Sequence, residues 1–141
     1  MTLLNPERAR AEYVRKSVQS ATPAQLVVML FDRMLLDLSR AERAQQQGDF
    51  VTASTELIHA QAIVAELASA LDTETWDGAA QLLSIYTFVG SEMVRANVEG
   101  DARRTRECLR ILEPVADGFR QAAAATSTAT ASPELAARGI A

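Results

Sequence analysis

The stretch from Thr22 to Ala44 constrains the fold of this chain most strongly, because it joins a helix start to a long apolar pattern. Thr22 can accept a hydrogen bond from a free backbone N–H, and Pro23 suits the first helical position. Gln25 stands where a capping box places Glu or Gln. Apolar residues then recur at steps of four and three, which predicts one helical face turned toward a core. This stripe consists of Val27, Phe31, Met34, Leu38 and Ala41.

The same stretch carries more apolar residues than one buried face requires. The additional ones are Leu26, Val28, Met29, Leu35 and Leu36. A helix that is apolar on nearly all sides is either central to a fold or partly covered by another chain. A chain of 141 residues is too short to surround this helix on every side. Both interpretations, a fully buried central helix and a helix that receives a partner, stay open at this point.

Three more helical patterns follow along the chain. Apolar residues alternate at steps of three and four from Phe50 to Leu71, again over 79–99, and again from Cys108 to Ala122. Gly48 and Gly100 mark helix ends, and the aspartate after each glycine can cap the next helix. Pro114 predicts a kink in the last helix rather than a break, because the apolar stripe continues past it.

These patterns predict an all-α protein with three parts. Residues 22–125 form an antiparallel up-down-up-down four-helix bundle, since the helices have similar lengths and short connections. Residues 1–21 form a short N-terminal helical arm, helical from Glu7 to Ser17 and weakly docked on the bundle. Residues 126–141 are small, polar and aperiodic, which predicts a disordered C-terminal tail.

Composition excludes several classes of function. The formal charge is −4, there is no basic block, and aromatics make up 5% of the chain, so nucleic-acid binding and binding to acidic lipids are not expected. No apolar run approaches a membrane span, and the N-terminus is charged too early for a signal peptide. Cys108 is the only cysteine, so no internal disulfide can form. We expect a soluble cytoplasmic protein.

No catalytic constellation stands out. His59, the only histidine, lies off the apolar stripe of its helix and lacks the Lys-Gly pair usual in histidine phosphotransfer domains, so an ordinary surface side chain is expected. Glu56 and His59 match one Glu-x-x-His motif, whereas a di-iron site needs two. Cys108 lies on an apolar stripe, which favours a core thiol over a nucleophile. We therefore expect a binding protein without enzymatic activity, cofactor, metal or small-molecule substrate.

The order and spacing of several short motifs resemble the flagellar secretion chaperone family, FliS, over about residues 10–122. The matching residues are Tyr13, Val18, Thr22-Pro23, Leu26 to Asp32, Leu35, Leu38, Ala41, Ala60, Ile63, Glu66-Leu67, Leu71-Asp72, Leu82, Leu83, Tyr86, Ala96, Asn97 and Asp101. The resemblance implies a cytosolic export chaperone that binds the C-terminal segment of flagellin in apolar grooves. It also implies protection from premature polymerisation and presentation to the type III export gate, without nucleotide use.

The apolar surplus of the helices over 23–47 and 79–99 independently favours an exposed groove for an amphipathic partner helix. Asn97 is either a solvated polar residue or, by the family pattern, a residue that hydrogen-bonds to backbone, either its own or the partner's. The predicted partner-binding residues are Tyr13, Val14, Val18, Val28, Leu36, Ile58, Ile63, Leu82, Tyr86, Val89, Met93, Ala96 and Asn97. We also hypothesise that the N-terminal arm competes with the partner for the groove. The alternative function is a generic helical-bundle adaptor or dimerisation module.

Overall fold

The computed structural model describes residues 5–74 and 76–131, and these residues form helices without any strand. The helices are α1 (Pro6–Ser20), α2 (Pro23–Gln46), α3 (Phe50–Ser69), α4 (Ala79–Glu99) and α5 (Ala102–Ala131). The prediction of an all-α protein is confirmed. No helix within these residues has both the length and the apolar character needed to cross a lipid bilayer.

The helix starts follow from the capping residues that the sequence indicates. At the start of α2, Thr22 Oγ1 accepts from the Gln25 N–H at 3.2 Å, and Gln25 Oε1 accepts from the Thr22 N–H at 2.9 Å. This is the predicted capping box. The carboxylates of Asp49 and Asp101 accept backbone N–H groups in the first turns of α3 and α5. The four helices α2–α5 therefore begin within a residue or two of where the sequence places them.

Gly100 ends α4 in the left-handed conformation, with φ of 63°. A Cβ at this position would lie 2.9 Å from the ring of Phe50, so glycine meets both a conformational and a steric demand. The sequence pattern placed Phe50 in the buried stripe of α3, and this was wrong. Phe50 is half exposed and covers Gly100 at the end of the bundle.

Helices α2–α5 share one core and pack in a ring of four seams. α2 packs against α3 and α5, and α4 packs against the same two helices, so the α2/α5 seam lies across from the α3/α4 seam. At one end of the core the Phe31 ring stacks on Phe119, with ring centroids 5.2 Å apart, and meets Tyr86 at 6.2 Å. The predicted α2 stripe is confirmed, since Phe31, Met34 and Leu38 are fully buried.

A buried hydrogen-bond network joins three helices at the other end of the core. The Gln45 side chain of α2 donates from Nε2 to the carbonyl oxygen of Ala96 in α4 at 3.0 Å. Its Oε1 accepts from the Thr105 hydroxyl of α5 at 2.7 Å. The C-terminal ends of α2 and α4 thus lie beside the N-terminal end of α5, as an up-down-up-down order requires.

Helix α5 differs from the sequence prediction in its length and in its buried face. It runs without interruption through Pro114 to Ala131, so residues 126–131 are helical where the tail was expected to begin. The rest of the expected tail, 132–141, lies outside the described residues. Ala116 and Ala123 are buried, whereas Ala122 of the predicted stripe is exposed. The stripe therefore lies about one position away from the predicted phase in the second half of α5.

Helix α1 buries none of its residues. Asn5 caps it by accepting from the Glu7 N–H at 3.1 Å, and Pro6 occupies its first position. The Tyr13 side chain is 73% exposed, and the weak docking of the arm on the bundle stays a prediction. The N-terminal arm therefore contributes no residue to the core, since it carries few large apolar residues.

Candidate partner-binding surface

Two rows of exposed side chains, one on the outer side of α3 and one on the outer side of α4, contain no charged residue. Each row follows the helical steps of four and three, and each member is exposed. The α3 row is Val51, Thr55, Ile58, Ala62, Ala65 and Ser69, and the α4 row is Ala80, Ser84, Thr87, Ser91, Val94 and Val98. We call these two rows the charge-free face. An exposed surface of this kind marks a site of contact with another chain.

A groove of about 280 Å³ runs between the two rows, along the α3/α4 seam. Ala65, Tyr86 and Gly90 are among its lining residues. Gly90 leaves the groove deep, because a Cβ there would stand 3.6 Å from the Val64 side chain. At the far end, Asn97 Nδ2 donates to the Ser54 hydroxyl at 3.2 Å. The family pattern suggested a backbone partner for Asn97, whereas its partner in the folded chain is a side chain.

A second concavity of about 360 Å³ opens on the α4/α5 seam. It is lined only by apolar side chains and glycine: Trp76, Leu82, Pro114, Val115, Gly118, Phe119 and Ala122. We call it the Trp76 pocket. The Trp76 indole lies against Gly78, where a Cβ would come within 2.7 Å of the ring, so the loop glycine fixes the position of the tryptophan. Val115 and Phe119 of the predicted α5 stripe pack against the core and also line this pocket.

Phe88 extends the apolar surface of α4 toward α5. It lies one turn before Glu92, whose carboxylate accepts from Arg104 of α5 at 2.9 Å, and its side chain is half exposed. The first half of α4 is therefore uncharged toward solvent, and the Glu92–Arg104 ion pair follows one turn after Phe88. No charged residue occurs between Gly78 and Ser91, and this sequence signal points to the surface.

The predicted partner-binding residues fall into two groups by burial. Exposed or partly exposed residues are Tyr13, Val14, Val18, Val28, Leu36, Ile58 and Asn97. Ile63, Leu82, Tyr86, Val89, Met93 and Ala96 are buried. The second group cannot serve as free surface in this conformation, because helical stripes at core positions face the other helices. Whether any of these residues contacts a partner stays a prediction.

The fold brings few of the exposed residues together. Ile58 belongs to the charge-free face, and Tyr86 lines the groove beneath it. Leu36 lies on the outer side of α2, and Tyr13 lies on α1, so neither belongs to this face. The sequence prediction missed Val94, Val98, Phe88 and Trp76, which are about half exposed or more. Phe88, Val94 and Val98 lie outside the buried stripe of α4, and Trp76 lies in a loop. A search for buried helical stripes therefore does not identify them.

His59 is not the ordinary surface side chain that the sequence suggested. Its Nδ1 hydrogen-bonds to a carboxylate oxygen of Asp37, which is fully buried, and Arg33 Nε donates to the other oxygen at 3.0 Å. This cluster joins α2 to α3 and gives both oxygens of the buried Asp37 carboxyl group a hydrogen-bond partner. No group of three potential metal ligands occurs in the described part of the chain.

Two buried groups are held in their neutral forms. Burial raises the pKa of the Cys108 thiol to about 12, and the Glu92 and Glu107 carboxylates add to the effect. Burial likewise raises the pKa of Tyr86 to about 12. Cys108 is fully buried, so the prediction of a core thiol is confirmed, and a neutral thiol is not a nucleophile.

The fold and this surface define a class of protein: a small helical bundle that turns an uncharged, largely apolar face to solvent. Within that class the chain belongs to the FliS family, because the model for "Flagellar protein FliS" matches residues 6–126. A flagellar secretion chaperone FliS from Salmonella typhimurium is 34% identical over 77% of this chain and 82% of its own length. Those from Bacillus subtilis and Escherichia coli are 29% and 30% identical, over 86% and 77% of this chain and 89% and 81% of their lengths.

Proposed function

We propose that this protein is a cytoplasmic flagellar secretion chaperone that binds the C-terminal segment of flagellin on the charge-free face. The relatives' names supply the secretion role, and the family resemblance supplies the client. The main support for the proposal is the charge-free face, because its two adjacent rows on α3 and α4 hold twelve exposed side chains and none of these twelve is charged. A solvated surface without a partner normally carries interspersed charges.

An amphipathic client helix fits this face by burying its own apolar stripe. The groove at Gly90 receives side chains along the α3/α4 seam, and the Trp76 pocket offers an anchor for one large apolar side chain. Recognition of a helix in a groove depends on such anchors at helical spacing. Leu36, Val28 and Asn97 lie outside this face or at its end, so a client that contacts them must wrap around the bundle.

Binding alone explains the chaperone action that we propose. A client segment held on the charge-free face cannot pair with another copy of the client, so polymerisation is suppressed by mass action. Release needs only a competing interaction at the export gate, and no bond is made or broken. A client segment that orders on binding gives up part of its interaction energy, which keeps the complex reversible.

Calorimetry with a C-terminal flagellin peptide tests the proposal with one matched pair of variants. Ser91→Glu places a charge in the α4 row, and Ser39→Glu makes the same change on an exposed position of α2. We expect Ser91→Glu to weaken binding at least about tenfold, because a charge buried without a partner costs more than about 1.4 kcal/mol. Ser39→Glu should bind as the native protein does.

Equal affinities for the two variants would refute the assignment of the client to this face. A native protein that forms a dimer in solution through the charge-free face and does not bind the peptide would instead support the adaptor or dimerisation module. Light scattering of the native protein and of Ser91→Glu distinguishes this outcome.

The exposed apolar edge of α1 carries a separate proposal, that the arm competes with the client for the bundle surface. Tyr13, Val14 and Val18 are all exposed to solvent, so they are available for a reversible contact. Deletion of residues 1–17 should raise the affinity or the association rate of the flagellin peptide. An unchanged affinity and rate would contradict the competition.

A further inference from the structure

The α2/α5 seam, across the bundle from the charge-free face, has the opposite character. A groove of about 480 Å³ lies on this seam. It is lined by Glu42 and Gln46 of α2 and by Ala102, Arg103, Arg106, Glu107 and Arg110 of α5. The three arginines recur at steps of three and four, so they share one side of α5. All three are exposed to solvent. We call this concavity the arginine groove.

The positive charges around the arginine groove exceed the negative ones. Arg106 pairs with Glu42 at 3.2 Å, and Arg110 pairs with Glu107 at 3.5 Å. Arg103 makes no ion pair within the part of the chain that the structure describes.

The groove itself is lined by three arginines and two glutamates, on a chain whose formal net charge is −4. Such a local excess attracts a partner of opposite charge.

We propose that the arginine groove binds an acidic peptide segment of a second protein while the charge-free face holds the client. Guanidinium groups with free N–H donors match carboxylates in bidentate geometry. The groove is elongated along two helices rather than closed, which suits a chain segment better than a small anion.

A nucleic acid fits the arginine groove less well than a peptide does. Glu42 and Glu107 stand among the arginines, and each carboxylate would repel a phosphate backbone. The groove is lined by no aromatic side chain on which a base would stack. An acidic peptide tolerates the glutamates because its own uncharged residues can lie opposite them.

The position of the groove makes binding of two partners at once possible. The α2/α5 and α3/α4 seams lie on opposite sides of the ring, so an occupant of one does not cover the other. The client contact depends on apolar burial, whereas the acidic contact depends on charge and weakens as salt is added. The two interactions are therefore separable by experiment.

Fluorescence anisotropy with a labelled peptide of alternating Glu and Ser residues tests the proposal at low and at physiological salt. The triple change Arg103→Gln, Arg106→Gln and Arg110→Gln should weaken binding by about tenfold, which corresponds to about 1.4 kcal/mol. The single change Arg103→Gln should weaken it by about two- to threefold, as for one exposed ion pair. Arg103 has no ion pair to lose, so this variant should fold as the native chain does.

The control carries the same loss of charge elsewhere, through Arg8→Gln, Arg10→Gln and Arg15→Gln in α1. It should bind the acidic peptide like the native protein, and so should Ser91→Glu, whatever happens to flagellin binding. Three results would overturn the proposal: no binding of the peptide at low salt, equal weakening by the α1 control, or tighter binding of a single-stranded oligothymidylate of equal charge.

Discussion

Replacing Gly90 by alanine should stabilise the free protein while it weakens client binding, which is an unusual pairing for a single methyl group. Gly90 lies in the interior of α4 and forms the floor of the groove on the charge-free face. An alanine Cβ would stand 3.6 Å from Val64 Cγ1, which is an ordinary van der Waals contact. The backbone is helical, so alanine introduces no strain.

The magnitude follows from helix propensity. Glycine in a helix interior costs about 0.5–1 kcal/mol relative to alanine, because it loses more backbone freedom on folding. The new contact with Val64 adds a smaller favourable amount. For a chain of 141 residues, a gain of about 1 kcal/mol raises the melting temperature by about 3–5 °C.

Urea unfolding followed by circular dichroism measures the first effect, and calorimetry with the flagellin peptide measures the second. Gly118→Ala is the matched control for stability alone: Gly118 is also helical and a Cβ there meets nothing within 4 Å, but it lines the Trp76 pocket. Both variants should be more stable than the native protein, but only Gly90→Ala fills the α3/α4 groove. A lower midpoint for Gly90→Ala would show that the groove has no space for a methyl group, which would refute the geometric argument.

Three further predictions concern stability. Because burial raises the pKa of Cys108 from 9.0 to about 12, the fold favours the protonated thiol; this stabilisation is complete below pH 9 and is lost as the pH rises toward 12. Between about pH 8 and 10.5, thermal melts should show that Cys108→Ala loses about 2 kcal/mol less of its free energy of unfolding than the native protein does. Equal losses in the two proteins would contradict the raised pKa of the thiol. Gly100→Ala should destabilise by more than about 1 kcal/mol in urea titrations, through its positive φ and its contact with Phe50. Thr22→Ala should cost about 1 kcal/mol in the same assay, with loss of the bond to the Gln25 N–H; an unchanged midpoint would mean that α2 does not depend on its cap.

Local signals in the sequence were sufficient for most of the fold. Capping residues and apolar periodicity depend only on neighbours along the helix, so they predicted the start of α2 at Thr22 and the ends of the helices at Gly48 and Gly100. The same reasoning failed along α5, where the buried face lies at Ala116 and Ala123. The choice between adjacent phases there depends on how α5 meets α2 and α4, which no local pattern contains.

The candidate surface was harder to predict because it depends on which side of each helix remains uncovered. The apolar pattern pointed both to core residues, such as Val89 and Met93, and to surface residues, such as Ile58. A single sequence does not distinguish buried apolar residues from exposed ones. The Asp37–His59 pair joins residues of two helices and has no signature within either. The arginine groove was missed for the same reason, since its residues come from α2 and α5.

The Gln45 network limits how the bundle can adapt to what it binds. Sliding α2 past α4 and α5 by a turn, about 5.4 Å, would break both buried bonds of Gln45, at a cost of about 1–3 kcal/mol for each lost partner; sliding α4 or α5 alone would break one. The register of α2, α4 and α5 is therefore locked, and the spacing between the pockets along α4 is constant. A client segment binds well only if its apolar anchor residues have the same spacing as these pockets. The bundle therefore selects among client segments by the positions of their anchor residues.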